Sequence, residues 1–174
     1  KRTDRGLKIN IIVERLRSLK LWGTGSNDKF IPKIYKTSSR QNRLNILAGL
    51  MDTDGSLSSN CFDYISKSER LAKDVAFIAN SLGLRAIVCE CLKSCTNSKK
   101  TDHVGIYWRV SITGNTNIIP TVLLRKQAGS RKQKKNHLTS GFSIVQHGIG
   151  SFFGFILDRD GRYLLDDYTI THNS

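Results

Sequence analysis

Two short stretches of this sequence carry residue types placed for chemistry. Asp52 and Asp54 stand just before Gly55, at the end of a stripe of Leu44, Leu47, Ala48 and Met51 with helical spacing. Asp54-Gly55 reads as a helix stop. The C-terminal end of a helix is already negative, so a carboxylate there is unfavourable by roughly 0.3–1 kcal/mol unless a cation offsets it. Such a carboxylate is a poor choice for stability and a good one for holding a hard cation. The second stretch is His172-Asn173-Ser174, a proton donor, an amide that can cyclise onto its own carbonyl, and a hydroxyl nucleophile.

The elements that must position these groups can be read from periodicity. Leu7, Ile9, Ile12, Val13, Leu16 and Leu19 recur at mostly helical spacing within residues 7 to 21. Phe62 to Ser66 reads as a strand, and Ser66 with Glu69 matches a capping box opening a helix with Leu71, Val75, Ile78 and Leu82 on one face. Arg85 to Lys93 and Gly105 to Thr113 read as two strands joined by a polar loop containing Lys99 and Lys100. In the second strand Ile106, Trp108, Val110 and Ile112 alternate with Tyr107, Arg109, Ser111 and Thr113, so one face is core and the other polar. Asn115 to Leu124 is a short helix candidate that Pro120 divides. Beyond Gly141, Phe142 to Val145, Phe152 to Leu157 and Tyr163 to Leu165 read as strands, with Asp158-Arg159-Asp160-Gly161 as a turn.

With 28 basic and 14 acidic residues the net charge is +14, which favours a polyanion partner. No basic amphipathic helix stands out, so nucleic acid is preferred over an anionic membrane, and no apolar run is long enough to span a bilayer. Cys61, Cys89, Cys91 and Cys95 lack zinc spacing even with His103, and read as reduced, mostly packed thiols.

Residues 47 to 55, Leu-Ala-Gly-Leu-Met-Asp-Thr-Asp-Gly, closely resemble the LAGLIDADG motif, departing by Met for Ile and Thr for Ala. The order of elements that follows is similar to that family's αββαββα half, and the resemblance covers roughly residues 8 to 136. Small Ala48 and Gly49 suit close approach of two helices, one from each half of such an enzyme. The resemblance implies that Asp54 is the catalytic metal ligand and that Asp52 is structural. It implies basic roles for Lys29, in Asp28-Lys29-Phe30-Ile31-Pro32, and for Lys132, at the end of Ala-Gly-Ser-Arg-Lys. Such lysines orient or polarise water and stabilise charge on phosphate. It also implies double-stranded DNA as partner and Mg²⁺ as cofactor. Tyr107, Arg109, Ser111 and Thr113 would then face the major groove, with Arg109 able to read guanine. Lys99, Lys100 and Arg131 would contact phosphate.

The ending His172-Asn173-Ser174 after β-rich sequence resembles the downstream junction of inteins that carry an embedded nuclease. Phe153-Gly154-Phe155 and Tyr163-Leu164-Leu165 are similar to the block preceding that junction. The resemblance implies that Asn173 cyclises to a succinimide with His172 as proton donor, and that the Ser174 hydroxyl accepts the upstream host segment. Gly161 and Gly154 fall near the helper positions of that block, leaving His147, Asp158 and Asp160 as candidates. The flanking style looks most like nuclear inteins of fungi, which implies an intracellular protein of nucleus or cytoplasm.

The expected architecture is therefore α+β. Residues 1 to 40 end a preceding endonuclease subdomain, 41 to 137 form a LAGLIDADG half-domain, and 138 to 174 form the last strands of a Hint splicing domain. An upstream intein half, with the first nuclease motif and the N-terminal nucleophile, is the expected second partner. The alternatives are a maturase that uses the same fold on RNA, and an intein whose nuclease binds DNA without cutting.

Overall fold

The computed structural model describes residues 10–94, 104–130, 132–133, 136, 138–139, 141–151, 153–166 and 168–173. The chain divides into two units, Lys1–Lys132 and Gln133–Ser174. In the first, the elements run α1 (Ile11–Ser18), α2 (Lys33–Lys36), α3 (Arg40–Thr53), β1 (Gly55–Ser58), β2 (Cys61–Ser66), α4 (Glu69–Ser81), β3 (Arg85–Ser94) and β4 (Val104–Thr113). The strands form one antiparallel sheet in the order β1-β2-β4-β3. The fold is mixed α and β.

The core joins one face of this sheet to α3 and α4. Leu44, Leu47, Ala48 and Met51 of α3 are all buried, as their spacing predicts. From α4 come Leu71, Val75 and Ile78, and from the sheet Phe62, Val110 and Ile112. Ala48 thus packs inside its own unit, contrary to the expectation that it would meet a second helix. Gly49 has nothing within 4 Å of a Cβ placed on it and stays free for close approach.

Several expectations need correction. The α4 cap is Ser68, whose hydroxyl accepts from Leu71 N at 3.1 Å, while Ser66 ends β2 and accepts from Ser68 N. The alternation of β4 buries Val110 and Ile112, but Ile106 is 54% exposed. Its partner Leu92 is exposed too, so the outer end of the β3–β4 ribbon lies beyond helical cover. The described thiols are not mostly packed, since Cys89 is exposed and Cys61 and Cys91 are only half-buried.

No α-helix follows β4 among the described residues, where the last element of αββαββα was expected. Two 3-10 turns, Thr116–Ile118 and Leu124–Lys126, stand there instead. Pro120 between them cannot donate to a helical ladder. The segment is held by outside partners rather than by its own: Thr116 Oγ1 donates to Asn60 O at 2.6 Å, and Asn60 Oδ1 accepts from Gly129 N at 2.9 Å.

The second unit contains a hairpin of β5 (Arg162–Leu164) and β6 (Ile170–His172). The turn before it is present, with Arg159 and Gly161 at positive φ. Of the strands expected at 142 to 145 and 152 to 157, none is present among the described residues; Phe152 lies outside them. Phe142, Ile144 and Val145 are each more than 80% exposed. A strand needs a neighbour for its backbone, and so short a unit buries too little surface to hold several.

Candidate functional site

Helix α3 begins at Ser39, which accepts from Asn42 N, and ends at Asp54, whose N–H donates to Leu50 O at 3.0 Å. The chain turns straight into β1. A Cβ on Gly55 would lie 2.7 Å from Met51 Cα, so only glycine lets the strand leave the helix this closely. The Asp54 side chain is exposed at that corner. Tyr64 is directly opposite Gly55 in the sheet and is buried. Burial, with the Asp54 charge second, pushes its phenol up to about 12.

The second carboxylate of the motif is committed elsewhere. Asp52 accepts from Val122 N at 2.9 Å and Leu123 N at 3.1 Å, which ties the segment after β4 to the helix end. Lys126 completes this connection. Its Nζ donates to the carbonyls of Met51 at 2.8 Å, Asp52 at 2.6 Å and Thr53 at 3.3 Å. These carbonyls lack intrahelical partners, as the last turn of any helix does.

Lys29 is exposed, and its backbone is held from both sides by α4. Ser68 Oγ donates to Lys29 O at 2.7 Å, and Asp74 Oδ2 accepts from Ile31 N at 2.8 Å. Asp74 is itself buried and paired with Lys36. Arg70 stacks over Phe30 at 4.1 Å, adding a third hold on this segment. Lys132 is exposed at the end of the first unit. Among the described residues no hydrogen bond or ion pair joins Asp54, Lys29 and Lys132.

The face of the sheet away from the helices is open. Tyr107, Arg109, Ser111 and Thr113 share it, half-buried except for exposed Arg109. Register places Ile65 and Cys89 beside Arg109, and Asp63 and Ile87 beside Ser111. Ser111 Oγ donates to Asp63 Oδ1 at 2.6 Å, so one polar pair on this face is already engaged. Arg85 and Lys93 extend the face along β3.

In the second unit, Asn173 N donates to Gly161 O at 2.9 Å, and its side-chain amide donates to Phe155 O. The imidazole of His172 covers Gly161: a Cβ there would lie 3.1 Å from Nε2. Of the candidate helpers, Asp160 is engaged by Arg162, whose guanidinium and backbone N–H hold its carboxyl below the usual range. His147 and Asp158 are exposed. Lys99, Lys100, Arg131 and Ser174 lie outside the described residues, as do Leu7, Ile9, Cys95 and His103.

The pattern reading missed Lys126, Ser68, Asp74 and Tyr64. Lys126 is one of six basic residues between 125 and 135 and gives no local signal that sets it apart. Asp74 did give one, because it interrupts the apolar stripe Leu71, Val75, Ile78 at a core position. An acid there needs a buried partner, which Lys36 supplies.

A fit to a divalent cation rests on the donors. Among the described residues no three His, Cys, Asp or Glu side chains gather. Mg²⁺ takes one or two carboxylates and completes its shell with water and phosphate. One exposed Asp54 carboxylate, a hard oxygen donor, matches one protein share of such a site.

The profile of a family described as homing endonuclease matches residues 31–141, well over half of the chain. Separately, a stretch of 78 residues, 44% of the chain, is 36% identical to part of the replicative DNA helicase DnaB of Mycobacterium intracellulare. That stretch spans 13% of the helicase's length.

Proposed function

The chain belongs to the homing endonuclease family, and on that premise we propose that it is part of an intein that cuts both strands of a specific DNA site and splices itself from a host protein. The observation that carries the nuclease reading is Asp54: an exposed carboxylate on a backbone held at the end of a LAGLIDADG-like helix, whose neighbouring acid, Asp52, is instead engaged by the N–H groups of Val122 and Leu123. Asp54 would hold Mg²⁺, which when bound supplies Lewis-acid activation of water and phosphate. Lys29 and Lys132 would steady charge on the phosphate. The open sheet face would lie in the major groove, with Arg109 reading a base and Lys93, Lys99, Lys100 and Arg131 near the backbone. The second half of the catalytic pair would come from another LAGLIDADG helix, packed where Gly49 leaves α3 open.

The splicing reading rests on the sequence His172-Asn173-Ser174, of which His172 ends β6 and Asn173 follows it. In its support, Asn173 N donates to Gly161 O and the His172 ring lies over Gly161, which would position these two side chains for the reaction. Asn173 would cyclise, with His172 delivering a proton, and free Ser174 with the segment behind it. The short match to a helicase fits an insertion: the matched 13% is a minor piece of a protein named for another activity.

The deciding experiment offers a randomised DNA duplex library to the full-length protein that carries this segment, with Mg²⁺. Double-strand cutting at one recurrent site, lost in Asp54→Asn, supports the reading. Undiminished cutting by Asp54→Asn overturns the assignment, and retention of RNA over DNA points to a maturase.

A further inference from the structure

We propose that Lys126 is a positioning residue of the cleavage site: an internal cation that fixes the last turn of α3 and offsets its negative end, so that the Asp54 carboxylate keeps its place when a phosphate approaches. This rests on the DNA-cleavage reading above.

Lysine is almost never fully buried unless paired, yet Lys126 is 7% exposed. An ammonium has three protons to donate and no acceptor. All three find carbonyls, those of Met51, Asp52 and Thr53, so none is left for a ligand. The lysine therefore acts through the helix and not on DNA. Asp54 follows immediately, and its own N–H holds the carbonyl of Leu50.

The charge arithmetic explains why a cation is built in. The helix end carries partial negative charge from its unpaired carbonyls, and Asp52 and Asp54 add two carboxylates. A DNA phosphate brings another negative charge. Capping by water would satisfy the carbonyls but would leave that field uncompensated. A tethered ammonium satisfies the carbonyls and supplies the opposite charge together.

The tether is itself secured in both directions. Asp52 accepts from Val122 N and Leu123 N, and Thr121 Oγ1 donates to Lys126 O at 2.7 Å. The segment 121 to 126 and the end of α3 thus hold each other, with Asp52 accepting and Lys126 donating. A helix running from 115 to 124, as expected, would instead turn the N–H groups of Val122 and Leu123 to the carbonyls of Ile118 and Ile119 and away from Asp52.

The test uses the full-length protein carrying this segment, its cleaved DNA, and two variants. Lys126→Met keeps length and loses charge. Lys126→Ala leaves a space that propylammonium can enter, with tetramethylammonium as the ionic control. Single-turnover cleavage is expected to fall at least tenfold in folded Lys126→Met, while affinity for uncut DNA in EDTA changes less than threefold. Amide exchange is expected to quicken at Asp54 and not in α4. Propylammonium is expected to restore cleavage by Lys126→Ala several-fold, and this arm decides the matter where Lys126→Met does not fold. Wild-type cleavage by folded Lys126→Met, parallel loss of binding and cleavage, or no rescue by propylammonium would overturn the proposal. If the wild type cuts no DNA, the cleavage reading fails by itself, and exchange at Asp54 still judges the hold of Lys126 on the helix.

Discussion

The hydroxyl of Ser68 donates to the carbonyl of Lys29 at 2.7 Å, across 39 positions of sequence. The same oxygen accepts from Leu71 N and starts α4. One buried serine therefore caps a helix and seats a lysine proposed to face phosphate. Ser68→Ala is expected to cost about 1–3 kcal/mol, from a lost cap and a stranded carbonyl. Ser39→Ala, at the exposed cap of α3, is expected to cost about 1 kcal/mol or less. Urea denaturation of both variants checks the difference, and equal losses would refute the double role.

Asp52 and Asp54 are expected to separate cleanly. Asp54→Asn should abolish DNA cutting and leave stability nearly unchanged, because its side chain is exposed and makes no hydrogen bond among the described residues. Asp52→Ala removes two hydrogen bonds to exposed backbone N–H groups, which water can then reach, and should destabilise by about 1–2 kcal/mol. Cleavage and thermal unfolding on the same preparations distinguish the two. A strongly destabilised Asp54→Asn would mean the motif acid is structural.

The open sheet face predicts two kinds of binding defect. Arg109→Ala should relax preference at one base pair by about 1–3 kcal/mol of discrimination. Lys93→Ala, Lys99→Ala and Lys100→Ala should weaken all sites alike and each lower the salt slope by about 1. Binding titrations at several salt concentrations read both. Affinity that ignores salt would contradict a phosphate-tracking face.

Tyr64 gives a pH dependence of known sign. Its phenol is raised from 10.0 to about 12 in the folded chain. The folded state then binds the proton more tightly than the unfolded chain. The associated stability is fully present below pH 10 and is lost as pH rises towards 12, by about 2–3 kcal/mol at most. Denaturation midpoints from pH 9 to 12 should fall more steeply for wild type than for Tyr64→Phe. Identical slopes would place the phenol in water.

Gly161 tests the splicing half. Alanine there must adopt a positive φ of 65° and place its Cβ 3.1 Å from His172 Nε2. Gly161→Ala is expected to slow release of the segment after Asn173 about as much as His172→Ala does, while Asn173→Ala stops it. Mass spectrometry of the released segment, with the upstream half supplied, follows each case. Wild-type release by Gly161→Ala would show that the ring can move without consequence.

Much of the first unit was legible because its signals are local. The stripe from Leu44 to Met51 fixed α3 and its buried face, and alternation in β4 separated Val110 and Ile112 from Arg109 and Ser111. Register then carried that separation across the sheet. β1 was harder, since Gly-Ser-Leu-Ser holds one apolar side chain and becomes a strand only because β2 is beside it. In the second unit the apolar runs at 142 to 145 and 152 to 157 read as strands, and their described residues form none, because apolar patterning states which side chains could be buried and not whether a partner exists.

What the sequence determined by itself was therefore the motif, the periodicity and the charge: a helix ending in acids, a two-faced ribbon and a basic surface, each encoded within a few residues. What tertiary structure decided was the state of individual polar groups. Lys126 looks like its basic neighbours, yet it is buried because the carbonyls at the end of α3, some 75 residues earlier, present three acceptors. Asp52 and Asp54 are two residues apart and alike in chemistry. Only the first meets the N–H groups of Val122 and Leu123. A polar atom's role follows from the partner that folding brings to it, and that partner is distant in the chain.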